Sequence, residues 1–502
     1  GLYQYDHLAR PALIKPLIAA AMPEPSADFK TFTVSLKPGI FFASDPAFKG
    51  AKREVVAQDF VYAFQRIADP ANKSPLWGWI ESVGFVGLAE ARKVALDAKK
   101  PFDYNKPIDG VLALDRRTIR FTLKEPRPRF IETIASSDLL GAQAREVVEF
   151  YGDKIAEHPV GSGPFRLKQW RRSSLIVLER NPEYREVLYD AQPAADDAEG
   201  QALLSKLRGK RLPLVDEVRV SIIDEAQPYW LSFLNTQIDS TSGLNGAVPG
   251  EFVAQAMPNG KIAPHLAKRG VGASRVVTSS VSLMYFNMED PVVGGYTPEK
   301  VALRRAISLA QDIEREIRTI RRGLAIPAQS PVSPGTTGYD AQFKSENSQY
   351  DPARAKALLD LYGYIDRDGD GWRDLPDGKP LVIVYSTQPE SINREFDTLW
   401  KKNLDAIGVK TTFNVGKWAE QLKSARAGKL QVWSLSSSAA ALDGQSAFMR
   451  LHGPQAAGQN LARFKNAEFD AIYDRMQAMP NGPERDALFV ELKKIAVAYM
   501  PY

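Results

Sequence analysis

The stretch HPVGSGPFRLKQWRRSSLIVLERNPEYR, His158 to Arg185, is the part of the sequence that decides the fold prediction. Glycines and a proline at its start mark a turn. The alternation F-R-L-K at 165–168 has the two-residue period of a half-buried strand. The apolar run at 175–178 predicts a second strand, which ends at the turn signal Asn181-Pro182. No pattern in the stretch suggests catalysis, so it predicts a structural hairpin.

Size and composition predict a soluble protein with more than one lobe. A chain of 502 residues exceeds what one ordinary core accommodates, so two or three lobes are expected. No run approaches the roughly 18 consecutive apolar residues that a membrane-spanning helix needs. Cysteine is absent, which excludes thiol nucleophiles, thiolate zinc sites and disulfides. No signal-peptide pattern stands at Gly1, so we expect a mature or trimmed chain.

The charge pattern argues against a nucleic-acid partner. The net charge is +5, but the 65 basic residues are mixed with 60 acidic ones along the chain. No basic stripe or aromatic–basic motif of the kind that binds nucleic acid accompanies them. The excess of positive charge weakly favours anionic surfaces or ligands.

Two further stretches combine a strand with a helix. Residues 31–36 alternate apolar and polar side chains as in a strand, and a helix is predicted from Ala57 to the stop at Asp69-Pro70. Later, LMYFNMEDPV from Leu283 predicts a strand and turn. A helix then begins at Thr297-Pro298, a cap followed by proline at the first helical position.

The second half of the chain alternates helices and strands. We predict a helix from Asp351-Pro352 to Gly363, a strand at 381–387, a helix at 391–407 and a strand at 409–416. This alternation is typical of an open α/β sheet. Residues 186–211 lack a clean period and predict a solvated loop.

Together these stretches resemble solute-binding protein family 5, the extracytoplasmic binding proteins that serve peptide and nickel ABC importers. The hairpin resembles the family's G-x-G-P-F/Y strand followed by Trp and "l-x-R-N-P-x-Y". Residues 28–70 resemble the family's strand–turn–helix pattern that ends in "A-x-D-v-v-y". The residues from 283 to 322 that fall on the matching places of a third pattern are Asn287, Pro291, Arg305, Ala306 and Asp312.

The resemblance implies an α/β, two-lobed periplasmic-binding-protein fold of the hinge type with an additional α+β domain. The division it implies is 1–25 as the first part of lobe I, 26–150 as the additional domain, 151–277 as the second part of lobe I, 278–485 as lobe II and 486–502 as the C-terminal part of lobe I. A chain that crosses between lobes more than once can close by a hinge motion.

The function that the resemblance implies is capture, not conversion. The chain would be the substrate-binding component of an ABC importer, holding a peptide-like or other small organic ligand between two lobes and delivering it to a membrane permease. It would be a periplasmic monomer and not an enzyme. The alternative is a hydrolase that acts on a peptide or glycan through cleft carboxylates, but the sequence lacks a recognisable nucleophile–base motif.

The resemblance also implies the ligand-binding residues, in two parts of the chain. The N-terminal group is Tyr3, Gln4, Tyr5 and His7. The later group is Tyr285, Asn287, Trp418, Trp433, Ser436, Ser438, Ala440 and Asp443. For the aromatic residue at 418 core packing is equally compatible with the pattern, and the Ser/Ala segment is equally compatible with a strand end packed under the sheet.

One place departs from the family's pattern. Peptide-binding members carry an Asp that pairs with the terminal ammonium of the ligand, and here Ala440 or Ala441 stands in that place. Asp443 follows within three residues and could supply a carboxylate if the loop turned it inward. We therefore expect free-amine peptides to bind weakly or not at all.

An acidic loop, DRDGDGWRDLPD, has the spacing of a calcium-binding loop. The carboxylates in question belong to Asp366, Asp368, Asp370, Asp374 and Asp377. The twelfth position is Asp and not the longer Glu, and a strand follows in place of an exit helix. We favour a surface turn over an occupied calcium site and predict no cofactor.

Overall fold

A computed structural model of the chain describes residues 1–9, 12–98, 100–136, 139–241, 248–273, 277–439 and 442–502. They divide into two compact units, Gly1–Ile238 and Asp239–Tyr502. Among the helices of these residues, none combines the length and the apolar character needed to cross a membrane.

The first unit contains three antiparallel sheets. Its strands are β1 (Tyr3–Tyr5), β2 (Ile14–Pro16), β3 (Glu24–Pro25), β4 (Thr31–Ser35), β5 (Val111–Ala113), β6 (Thr118–Thr122), β7 (Phe165–Arg171), β8 (Leu175–Arg180) and β9 (Glu217–Ser221). Its helices are α1 (Ala57–Ala68), α2 (Trp77–Val83), α3 (Leu88–Ala98), α4 (Phe130–Ile134), α5 (Arg145–Tyr151), α6 (Ala198–Leu207) and α7 (Ala226–Leu234). The strand orders are β1-β2, β3-β4-β6-β5 and β7-β8-β9.

The predicted hairpin of residues 158–185 is present as β7 and β8. The two strands pair antiparallel, with an irregularity between Leu167 and Gln169. Asn181 closes the hairpin, because its backbone N–H donates to Pro164 O at 2.8 Å and its side-chain amide donates to Gly163 O at 3.0 Å. The Asn-Pro signal in the sequence therefore marks a residue that fixes the entry and the exit of the hairpin together.

Helix α1 begins where the sequence predicted. The Asp59 carboxylate accepts a hydrogen bond from the Val56 N–H at 2.8 Å, which satisfies a free amide at the start of the helix. Its other oxygen lies 2.6 Å from Arg53 Nη2. This carboxylate is buried and cannot be solvated fully by water. The guanidinium therefore compensates its negative charge.

The second unit is built around one four-stranded mixed sheet. Its strands are β10 (Ser280–Phe286), β11 (Val382–Thr387), β12 (Lys410–Val415) and β13 (Val432–Ser438). Its helices are α8 (Gly250–Ala256), α9 (Pro264–Ala267), α10 (Pro298–Leu309), α11 (Ile313–Thr319), α12 (Pro352–Leu361), α13 (Ser391–Asp405), α14 (Trp418–Arg426), α15 (Gln445–Phe448), α16 (Ala467–Ala478) and α17 (Pro483–Tyr499). The strand order is β10-β13-β11-β12, with β10 antiparallel to β13 and β11 parallel to both neighbours. The predicted open α/β sheet is therefore present.

Side-chain alternation gives this sheet two buried faces. Phe286 and Val432 belong to a core with residues of α10, α12 and α13. Tyr285 and Trp433, their neighbours in the chain, belong to a second core with residues of α14, α16 and α17. Since successive residues of a strand point to opposite faces, one strand pair supports both cores.

A buried arginine joins α10 to the end of α17. The Arg304 side chain is fully buried, and its guanidinium donates to Tyr499 O at 2.7 and 3.0 Å, to Val293 O at 2.7 Å and to Gly295 O at 2.9 Å. Burial lowers the pKa of this guanidinium to about 10, which leaves it charged at neutral pH. The charge is stabilised by carbonyl dipoles, and no ion pair is formed with it in the described part of the chain.

The two compact units group some segments differently from the predicted division, which stays a prediction. Residues 239–277 and 486–502, predicted as parts of lobe I, belong to the second unit. The C-terminal segment is held there because Leu488, Phe489 and Leu492 pack in the core that contains Trp433. In the first unit, Leu2 and Tyr3 share one core with residues up to Val147, so 1–25 does not form a body apart from 26–150.

The predicted loop at 186–211 contains helix α6. The Asp197 carboxylate caps this helix by accepting from the Gly200 N–H at 2.9 Å. Leu204 is buried in a small cluster with Tyr189 and Ala191. Acidic and basic residues surround the few apolar positions of this helix, so the sequence shows no clear helical period. This explains the wrong prediction.

We predict that Arg304→Met lowers the free energy of unfolding by about 2–4 kcal/mol, because three carbonyls, that of Val293 buried and two half-buried, lose their donor. The measurement is urea denaturation followed by tryptophan fluorescence. Arg318→Met, at an exposed position on α11, is the matched control and should leave the midpoint nearly unchanged. Equal midpoints for the two variants would contradict the structural role of Arg304.

Candidate functional site

The N-terminal residues predicted to bind ligand lie on or next to β1. Tyr3 is fully buried in the core of the first unit, and its hydroxyl donates to Ala21 O at 3.0 Å. Gln4 and Tyr5 are half-buried and pair with Lys15 and Ile14 of β2. Tyr3 thus has a packing role, while a ligand contact at Gln4 and Tyr5 stays a prediction.

His7 follows β1 at an exposed position. Its Nε2 lies 2.9 Å from the Tyr189 hydroxyl, and the two rings meet edge to face. The neighbouring Asp6 is buried and accepts hydrogen bonds from Lys15 Nζ and from backbone amides. Burial alone would raise the pKa of Asp6, but these hydrogen bonds lower it to about 2. The segment is therefore a fixed, charged element and not a proton donor near neutral pH.

Three residues of the later group are packed inside the second unit. Tyr285 and Trp433 face each other across the β10–β13 pair with their rings edge to face, and both are almost completely buried. Asn287 donates to Gly428 O at 2.9 Å and accepts from the Glu289 N–H at 3.0 Å. Each side chain is held by its own core or turn, and the ligand contacts predicted at these three positions stay predictions.

The serine residues at the end of β13 form a ladder with β10. The Ser436 hydroxyl lies 2.7 Å from that of Ser282, and the Ser438 hydroxyl lies 2.8 Å from that of Ser280. These side chains are hydrogen-bonded in cross-strand pairs at a sheet end where the buried core has stopped. They present hydroxyl groups at the surface of the second unit, and their role as ligand contacts stays a prediction.

The opposite face of the same strand end borders a cavity of about 180 Å³. Its apolar wall consists of Leu283, Leu422, Leu435 and Leu461. Ser437, Arg426, Arg450, Gln459 and Tyr502 supply its polar groups, and among the described residues no Asp or Glu lines it. Arg426 is exposed, so the cavity reaches the surface of the unit.

The Arg450 guanidinium is held against the strand and is poorly solvated. Its Nη2 donates to the Ser437 hydroxyl, and the Tyr502 hydroxyl lies 3.3 Å from the Arg450 carbonyl. Burial lowers the pKa of Arg450 from its usual value, and burial also raises the pKa of the Tyr502 phenol, which stays neutral. Within the described residues, no carboxylate forms an ion pair with Arg450 or Arg426. Sequence reasoning missed both arginines, because neither belongs to a motif.

Asp443 has a partner within its own unit. Its Oδ1 lies 2.8 Å from Arg485 Nη2, and both side chains are almost completely buried. The same oxygen accepts from the Gln445 N–H at 2.8 Å, at the start of α15. Because the charge is compensated by Arg485, we no longer expect Asp443 to pair with a ligand ammonium. Ala440 lies outside the described residues.

Trp418 begins α14 and is 54% exposed. This exposure excludes the alternative of simple core packing for its side chain. Its predicted role as an aromatic wall for a ligand stays a prediction.

The acidic loop folds as a series of tight turns. Carboxylate oxygens of Asp366, Asp368 and Asp374 lie within 4.8 Å of one another. However, these oxygens accept backbone amide hydrogen bonds within the loop, as does Asp370. Asp377, at the twelfth position, lies 2.7 Å from Lys379 Nζ. A strand, β11, follows at Val382, as predicted.

Solved structures of other proteins show to which class of protein this architecture belongs. The two-lobed α/β fold is that of the periplasmic binding proteins. A solved structure of the ABC transporter-associated periplasmic binding protein DppA from Helicobacter pylori, in complex with the peptide STSA, superposes with a TM-score of 0.74 at 21% identity. The match covers 100% of this chain and 85% of that one.

The family follows from the sequence comparison. The model of the bacterial extracellular solute-binding proteins, family 5, matches residues 14–459, so the chain belongs to this family. Di/tripeptide-binding protein 2 of Pseudomonas aeruginosa is 25% identical over 100% of this chain and 84% of its own length. The probable deoxycholate-binding periplasmic protein YgiS of Escherichia coli is 26% identical over 88% of this chain and 71% of its own length. The resemblance inferred from the hairpin and the strand–helix patterns is confirmed.

We predict that Asp443→Ala lowers the free energy of unfolding by about 3–5 kcal/mol, because it leaves the buried Arg485 without its carboxylate. The double variant Asp443→Ala with Arg485→Met should recover much of this loss, since no uncompensated charge remains. Thermal and urea unfolding of the single and double variants measure the coupling. A double variant no more stable than Asp443→Ala would contradict the assignment.

We predict that Ca²⁺ leaves the thermal midpoint unchanged, because the loop carboxylates already accept amide hydrogen bonds and Asp377 is paired with Lys379. A bound ion would stabilise the folded chain by mass action. Thermal unfolding with Ca²⁺, with Mg²⁺ and with a chelator tests this. A rise with Ca²⁺ that is absent with Mg²⁺ and reversed by the chelator would show that the loop binds calcium.

Proposed function

We propose that the chain is the solute-capturing component of an ABC importer and acts as a monomer in the periplasm. In this role it delivers a peptide-like or other small organic solute to a membrane permease without converting it. The observation that carries the proposal is the family match over residues 14–459. Two relatives are named a di/tripeptide-binding protein and a probable deoxycholate-binding protein, and these solutes are zwitterionic and anionic, respectively. The hydrolase alternative has no support from the site, where the histidine and carboxylates described above have structural partners.

The test is mass spectrometry of whatever solute co-purifies with the chain, released by denaturation. The recovered compound should bind again, in calorimetry, to the protein refolded without it. Its mass should be unchanged after prolonged incubation with the protein. A compound recovered in a cleaved form, at a rate that depends on the protein, would overturn capture without conversion.

The class of peptide-like solute follows from the charges near β13. A buried ligand ammonium without a carboxylate partner retains a desolvation cost of several kcal/mol. The Asp443 carboxylate is compensated by Arg485, and residues 440 and 441 are alanines. A neutral terminus carries no such cost, and an anionic terminus needs a cationic partner and no carboxylate, which the net charge of +5 favours mildly.

We therefore predict that free-amine di- to pentapeptides bind more weakly than their N-acetylated counterparts. Calorimetry with the two matched sets measures the difference. Ala440→Asp, or Ala441→Asp as the neighbouring variant, should raise the affinity for free-amine peptides by on the order of tenfold through a charge-assisted hydrogen bond. Tight binding of free-amine peptides by the unchanged chain, lost on acetylation, would contradict the prediction.

A further inference from the structure

The cavity beside β13 has the size of a single side-chain group. Its volume is about 180 Å³, and a cavity of roughly 150 Å³ is known to be enough for a molecule of benzene. Four leucine side chains contribute its wall. The cavity therefore suits one compact apolar group and not an extended chain.

The polar side of the cavity carries positive charge only. Arg450 and Arg426 both reach it, Gln459 and Tyr502 add neutral polar groups, and no acidic residue of the described chain lines it. The Arg450 guanidinium is oriented by the Ser437 hydroxyl, which is a neutral acceptor and leaves the positive charge uncompensated. A guanidinium in this state binds a carboxylate with a geometry that presents two parallel N–H donors.

We propose that this cavity is a specificity pocket for a carboxylate-bearing, mainly aliphatic group of the captured solute, with Arg450 as the carboxylate-binding residue and the leucine wall as the site of the aliphatic part. The inference rests on the proposed function, since it names the chemistry of the solute. Ser437 is a positioning residue, because it holds the guanidinium and leaves room that a larger side chain would fill.

The test uses the full chain and the compound 4-methylpentanoate, with 4-methylpentanamide as its uncharged match. Calorimetry and saturation-transfer NMR should show binding of the acid with a Kd on the order of 1 mM, as expected for a fragment of this size. The amide should bind at least tenfold more weakly, because it lacks the charge that Arg450 recognises.

Variants then locate the binding. Arg450→Gln should weaken binding of the acid by roughly tenfold to a hundredfold, and Arg450→Lys should retain part of it. Ser437→Phe should abolish binding by filling the cavity. Arg475→Gln, at an exposed position on α16, is the matched control and should bind as the unchanged chain does. Thermal midpoints verify that each variant is folded.

Three results would overturn the pocket: no saturable binding of the acid by the unchanged chain, equal binding of acid and amide, or equal binding by the folded Arg450→Gln and Ser437→Phe variants. The assignment of the pocket and the proposed function can be refuted independently of each other. A co-purified solute that binds all variants equally would refute the pocket and leave solute capture intact. Arg450-dependent binding of the acid by a chain that captures no co-purified solute would support the pocket and refute the importer role.

Discussion

The antiparallel pairing of β10 with β13 is the constraint on which the second unit depends. Seven residue pairs run from Ser280–Ser438 to Phe286–Val432. The strands are roughly 150 residues apart in sequence, so the pairing carries a loop-closure cost that only burial on both faces offsets. A shift of one residue would exchange Tyr285 and Phe286 between two different cores, which is why the register is fixed.

The same strand pair changes character along its length. At the Phe286–Val432 end both faces are buried, whereas at the other end the serine pairs Ser280–Ser438 and Ser282–Ser436 lie at the surface. Backbone pairing continues past the core, so the register set by the aromatic residues also determines which face each serine takes. Ser437 therefore points to the face of Trp433 and meets Arg450, and its neighbours do not.

Local periodicity was enough to predict most of the strands and helices, because each depends on its own side-chain alternation. Strand 382–387, helix 391–405 and the hairpin at 165–180 lie where the pattern places them. Contacts between distant segments were not predictable in this way. The pairing of Asp443 with Arg485 and the packing of residues 486–502 in the second unit join segments whose motifs give no sign of each other. The family pattern predicts a ligand site at the end of β13, with Ala440 or Ala441 on the matching place and Asp443 close by, but it gives no indication of Arg450.

The three arginines of the second unit compared above show what the burial of a guanidinium requires. Arg304 is fully buried and is satisfied by three backbone carbonyls, and Arg485 is fully buried beside the carboxylate of Asp443. Both charges are compensated by the fold, so stability explains them. Arg450 is desolvated beside a single hydroxyl in a cavity that reaches the surface. A poorly solvated charge that no carboxylate of the described residues compensates is the feature from which we infer a partner arriving from solution, and the leucines around it favour an acid with an apolar body.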